Sequence, residues 1–220
     1  IQVRLGNSTN SENQLRLLKD LFSQTPQLES CTLGINFDWE NDQCSQIMQE
    51  MMKKLSKLNR LFSLALRLKT QNFKLFWASK LGNLISEISS LKQLEVNIEA
   101  SDPNELLTQN IMVLMNCLEP LSNLTSLKLN GIRSRILSYD IILLKLNNGL
   151  SKMDNLKVLN LKGLGMYYLN IIEVLSSLPC PGKLESLSFD FIADTLNSIG
   201  ITPADFYNRL VRLKTLSLKI

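Results

Sequence analysis

Leu156-Lys157-Val158-Leu159-Asn160-Leu161 carries apolar residues at its first, fourth and sixth places. A stretch of this kind suits a short strand whose alternate side chains enter a core. The figure returns along the chain. With its last two apolar places as markers, it recurs at Val3/Leu5, Cys31/Leu33, Leu64/Leu66, Leu94/Val96, Leu127/Leu129, Leu159/Leu161, Leu187/Phe189 and Leu216/Leu218. The unit is about 30 residues long, within the range of stacked supersecondary repeats. A third position tests the phase. Three residues before the first marker stand Leu28, Leu61, Leu91, Leu124, Leu156, Leu184 and Leu213, all leucine. Leucine makes up about a fifth of the chain, so chance would fill this column about once in 10⁵ trials. The period is a property of the chain.

Between the figures lie stretches with the spacing of one buried helix face. Gln14 to Phe22 offers Leu15, Leu18 and Phe22; Asp42 to Leu58 offers Met48, Met51, Met52 and Leu55. Asn72 to Ile88 offers Phe73, Phe76, Trp77, Leu81, Leu84, Ile85 and Ile88. These intervals belong to amphipathic helices on a core, and the methionines read as core filler rather than as a docking surface. Asp102-Pro103-Asn104-Glu105 and Thr202-Pro203-Ala204-Asp205 have the N-cap and first-turn proline of helix starts, with helices running to about Leu118 and Leu210. Ile141 to Leu150 and Tyr168 to Leu178 supply two more, Pro179 to Gly182 a turn, and Asn7 to Ser11 a loop.

A strand, a helix and a parallel strand about 30 residues later form a right-handed crossover. Repeated without reversal, the unit predicts an α/β solenoid of about eight repeats, with one parallel sheet and all helices on its other side. Helices are about 10 Å wide and strands about 4.8 Å apart, so the stack should bend into a horseshoe with a concave sheet and convex helices. Residues 1–220 then form a single domain. The chain opens inside one strand figure and stops inside another at Ile220. Because end repeats expose their core face, we expect a segment of a larger protein or ends covered by neighbours.

In Leu124-Thr125-Ser126-Leu127-Lys128-Leu129 and in the stretch quoted first, the chain resembles the leucine-rich repeat family, and its long period is similar to the ribonuclease-inhibitor-like subclass. That family usually has Asn or Cys five places after the first marker. This column here reads Ser8, Asn36, Lys69, Glu99, Ile132, Leu164 and Ile192, so only Asn36 matches. The resemblance implies a binding role, and it extends to the repeat regions of NOD-like receptors and F-box ligase subunits.

Composition excludes much. At 45% hydrophobic and 20% charged residues the chain is globular rather than disordered. A net charge of +4, with Lys53-Lys54 the only adjacent basic pair, gives nucleic-acid binding no support. The apolar runs Ile111 to Met115 and Ile141 to Leu144 are too short to span a bilayer, and no signal peptide is visible. Cys31, Cys44, Cys117 and Cys180 fit neither a zinc site nor a disulfide scaffold, so reduced thiols in a cytoplasmic setting are expected. Histidine is absent, which removes Ser-His-Asp and Cys-His catalysis. Gly163-Leu164-Gly165 lacks the rest of a phosphate loop. Asp38, Glu40 and Asp42 alternate like calcium ligands but lack the loop glycine and distal glutamate. No cofactor, metal or small-molecule substrate is expected.

What remains is the sheet face opposite the leucines. Its residues should include Arg67, Glu95, Lys128, Asn130, Asn160, Lys162 and Asp190, a polar stripe slightly basic in its middle and free of aromatics. The strand-exit loops add Trp39, Arg133, Arg135 and Tyr167, each of which could instead lie against a neighbouring repeat. Solenoids bind along such extended faces. The expected function is a non-catalytic protein–protein interaction or scaffold module. A ligand-sensing or substrate-recognition region of a multidomain regulator is the alternative, and a GTPase activator a third.

Overall fold

The computed structural model describes residues 1–5, 11–36, 42–70, 75–100, 113–131, 139–192 and 208–219. Along them run β1 (Gln2–Leu5), α1 (Ser11–Gln24), β2 (Ser30–Asn36), α2 (Asp42–Ser56), β3 (Ser63–Thr70), α3 (Leu75–Ser86) and β4 (Gln93–Ala100). A 3₁₀ turn (Asn116–Leu118), β5 (Ser126–Asn130), α4 (Tyr139–Leu150), β6 (Val158–Tyr167) and α5 (Tyr168–Ser177) follow. A second 3₁₀ turn (Pro181–Lys183), β7 (Ser186–Ile192) and β8 (Thr215–Lys219) complete the described order. The eight strands form one sheet in chain order, and every pairing is parallel. The helices follow the same order: α1 packs on α2, α2 on α3, the first 3₁₀ turn lies between α3 and α4, and α4 packs on α5. This α/β architecture is compatible with a solenoid-like arrangement.

The register explains the leucine period. Cys31, Leu64, Leu94, Leu127, Leu159 and Leu187 form one row across the sheet, and Leu33, Leu66, Val96, Leu129, Leu161 and Phe189 form the next. All twelve are buried. Leu15, Leu18 and Phe22 of α1, and Met48, Met51, Met52 and Leu55 of α2, cover them from the helical side. The methionines are core, as their spacing predicts. Leu17, on the outer face of α1, is 69% exposed. Phe73 lies outside the described residues, and so do the helix starts at Asp102 and Thr202.

Two further periodic features hold the units together. Leu55, Leu58 and Leu61 step through the corner before β3, with the amide of Leu58 donating to Leu55 O and that of Leu61 to Leu58 O, both at 3.1 Å. The same three-residue steps recur at Ile85, Ile88 and Leu91, at Leu118, Leu121 and Leu124, and at Leu150, Met153 and Leu156. At the strand entries, one carbonyl accepts two successive amides of the next unit. Phe62 O takes Lys92 N and Gln93 N at 2.8 Å; Lys92 O, Thr125 O, Lys157 O and Glu185 O do likewise for the units after them. Such forks leave no register choice, because a slip of one residue would break both bonds and turn the apolar row outward. Helix ends are closed by serine. The hydroxyls of Ser56, Ser86 and Ser177 donate to the last-turn carbonyls of Lys53, Asn83 and Val174.

Leu216 and Leu218 belong to the apolar rows by register and, standing in an end repeat, are each 46% exposed. Strand β8 is the outermost strand, so the neighbour that buries the equivalent side chains elsewhere is missing on one side. The turn over Pro179–Gly182 is a 3₁₀ turn at Pro181–Lys183. Where the family pattern would place a capping Asn or Cys, Lys69 and Glu99 instead pair with each other as strand residues of β3 and β4.

Candidate binding face

Parallel sheets are usually covered on both faces. Here the second face is polar, and the side chains alternating with the buried rows point onto it. Register aligns Thr32, Ala65, Glu95, Lys128, Asn160, Ser188 and Ser217 in one row. A second row holds Gly34, Arg67, Asn97, Asn130 and Lys162. Seven residues expected on this face are thus brought together: Arg67 is exposed, and Glu95, Lys128, Asn130, Asn160, Lys162 and Asp190 are half-buried. Trp39, Arg133 and Arg135 lie outside the described residues. Tyr167 ends β6, in register with Ile192.

The charge of the face is more balanced than the sequence suggests. Lys128 Nζ lies 3.7 Å from Glu95 Oε2, so the central lysine stands beside an opposite charge. Asn97 Nδ2 donates to Glu95 Oε1 at 2.9 Å, and Asn130 Nδ2 donates to Asn97 Oδ1 at 2.6 Å. These bonds make a connected polar chain across β4 and β5. Alternation with the buried Val96 and Ile98 puts Asn97 on this face. Its signal is the asparagine at the same place in two successive units, Asn97 and Asn130.

Past β5 the chain of bonds stops. Asn130 Oδ1, Asn160 Oδ1, Ser188 Oγ and Asp190 Oδ1 are shielded from solvent and have no hydrogen-bond partner. Ser188 is 7% exposed and is the one buried polar residue of the described structure. Its orphaned state is as unreadable in sequence as that of any other serine. A bulge adjoins these atoms: β6 and β7 pair regularly to Leu161 and Phe189, then resume at Met166 and Phe191. Gly163, in that bulge, has φ +71°, so Gly163-Leu164-Gly165 serves a backbone irregularity.

Acid–base chemistry finds little material. The Glu185 carboxyl is held below the usual range by hydrogen bonds from Lys214 and Lys157, an exposed charge cluster. Burial pushes the Cys31 thiol up to about 11 and the Cys117 thiol up to about 12, so both are neutral and inert at pH 7. Among the described residues, Cys31, Cys117 and Cys180 are free. Within the same residues no group of three or more His, Cys, Asp or Glu side chains could hold a metal. None of the described helices is long and apolar enough to cross a membrane. Comparison with protein-family models, with curated proteins and with solved structures finds no match for this chain.

Proposed function

We propose that this protein is a non-catalytic protein-binding module of the leucine-rich repeat type, a horseshoe of about eight repeats whose concave sheet receives a protein partner. One observation carries the reading: the parallel sheet is covered by helices on one face and presents register-aligned polar rows on the other. A face of that extent, rigidly backed, suits a partner that lies across several strands. Arg67, Glu95, Lys128, Asn130, Asn160, Lys162 and Asp190 are the contact residues, with Trp39, Arg133, Arg135 and Tyr167 as rim anchors. The free cysteines fit a reducing, cytoplasmic setting.

The test is cross-linked capture followed by mass spectrometry, comparing the wild type with Lys128→Glu/Lys162→Glu. The partner recovered with the wild type should be lost, while the melting temperature stays nearly the same because exposed ion pairs contribute about 0–1 kcal/mol. Equal recovery by both proteins would defeat the proposal.

A further inference from the structure

The corners that lead into β2–β8 all lie on one side of the sheet, because every strand pairing is parallel. Two of them share a pattern: Lys57-Leu58-Asn59-Arg60-Leu61 before β3 and Arg209-Leu210-Val211-Arg212-Leu213 before β8. Leu58, Leu61 and Leu210 are buried, while Lys57, Arg60, Arg209 and Arg212 are exposed. The same two corners carry apolar side chains where the other units are polar. Phe62, 36% exposed, takes the strand-entry place that Glu29, Lys92, Thr125, Lys157, Glu185 and Lys214 fill elsewhere. Val211, 77% exposed, takes the place of Asn59, Ser89, Ser122 and Asp154, each of them exposed. The exposure of Val211 thus belongs to its place in the corner.

We propose that this side of the sheet docks on an anionic lipid surface, its cations at the headgroup phosphates and Phe62 and Val211 turned toward the acyl boundary. Exposed Lys53 and Lys54, in the last turn of α2, add charge beside the first corner. Opposing groups are few: Glu29, whose carbonyl accepts the Phe62 amide; Glu87, which accepts from Ser56 at 3.1 Å; and Glu185, which holds Lys214 at 2.7 Å. Lys57, Arg60, Arg209 and Arg212 form no ion pair among the described residues. Cations grouped around an apolar side chain suit the membrane interface, where phosphate and hydrocarbon lie close together. The two corners stand five strand spacings apart, about 24 Å. Between them Lys152 pairs with Glu119 and Lys157 with Glu185, and no large apolar side chain is exposed among the described residues. A planar surface meets both corners at once, whereas an acidic peptide or a nucleic acid would have to cross charge that is already paired. Docking on this side leaves the polar rows of the sheet free for a protein partner.

The experiment is co-sedimentation of the full chain with vesicles of phosphatidylcholine, alone or with about 30% phosphatidylserine. The protein should pellet only with the anionic vesicles at about 0.1 M NaCl and come free at about 0.5 M. Arg60→Ala/Arg212→Ala should lower the partition coefficient at least about tenfold. Lys69→Ala/Lys145→Ala removes the same charge from β3 near its end and from the middle of α4, and should stay within about twofold of the wild type. Val211→Ser keeps the net charge and should weaken binding about threefold. The emission of Val211→Trp should move to shorter wavelength when anionic vesicles are added, with the wild type as the control. Equal binding to pure phosphatidylcholine, or equal losses in the two double variants, would overturn the proposal. So would a chain that takes poly-glutamate or duplex DNA and ignores the vesicles, because the corners would then serve a soluble polyanion.

Discussion

Asn130 Nδ2 meets Asn97 Oδ1 at 2.6 Å, so β5 is tied to β4 by a side-chain bond on the face where none of the described helices packs. A double-mutant cycle with Asn97→Ala and Asn130→Ala should give a coupling energy of about 0.5–1.5 kcal/mol by urea unfolding. Additivity of the two single changes would mean that water replaces the bond at no loss.

Leu127 is fully buried in the middle of its row. Leu127→Ala should cost about 2–5 kcal/mol, the removed contacts plus the cavity left in a core held on both sides. Leu17→Ala, at a position 69% exposed, should stay within about 0.5 kcal/mol. The pair of unfolding midpoints checks the strand phase directly.

Gly131 leaves β5 with φ +95° and donates its amide to Lys162 O at 3.0 Å. A Cβ there would stand 2.3 Å from Ile98 O, a backbone atom. Gly131→Ala should therefore destabilise by at least about 1 kcal/mol. Gly82 lies within α3, and a Cβ there would meet nothing closer than 3.5 Å. Gly82→Ala should stabilise by about 0.5–1 kcal/mol. Thermal melts of the two variants should move in opposite directions.

Burial raises the Cys31 and Cys117 thiols to about 11 and about 12, while an unfolded chain ionises them near about 8.5. The folded state therefore holds its thiol protons longer. The stability they contribute is intact below about pH 8.5 and is lost as pH rises through the folded values. Urea midpoints measured from pH 7 to 10.5 should fall more steeply for the wild type than for Cys31→Ala/Cys117→Ala. At pH 8, a thiol reagent should modify half-buried Cys180 before Cys31 and Cys117, which should react only on unfolding.

Much of this fold was legible because its core columns tolerate only apolar residues, so Leu61, Leu91 and Leu124 register in the sequence itself. The exposure of Leu216 and Leu218 follows from their place in an end repeat. The entry forks were not legible. Their acceptors belong to Phe62, Lys92, Thr125, Lys157 and Glu185, which share no side-chain chemistry because the bonding atom is a main-chain oxygen. On the candidate face, alternation sets Asn160 and Asp190 beside the buried Leu159 and Phe189. Which of their oxygens lack partners depends on side-chain rotamers, which alternation does not specify.

The forked carbonyls also bear on how the molecule would yield to a pull along its axis. Each fork joins one unit only to the next, so load is carried in series and no bond reaches past its neighbour. Held between optical traps, the chain should lengthen in discrete jumps of roughly 100 Å, about 30 residues at about 3.4 Å each. The first jump should come from β8, whose leucines are already half in water.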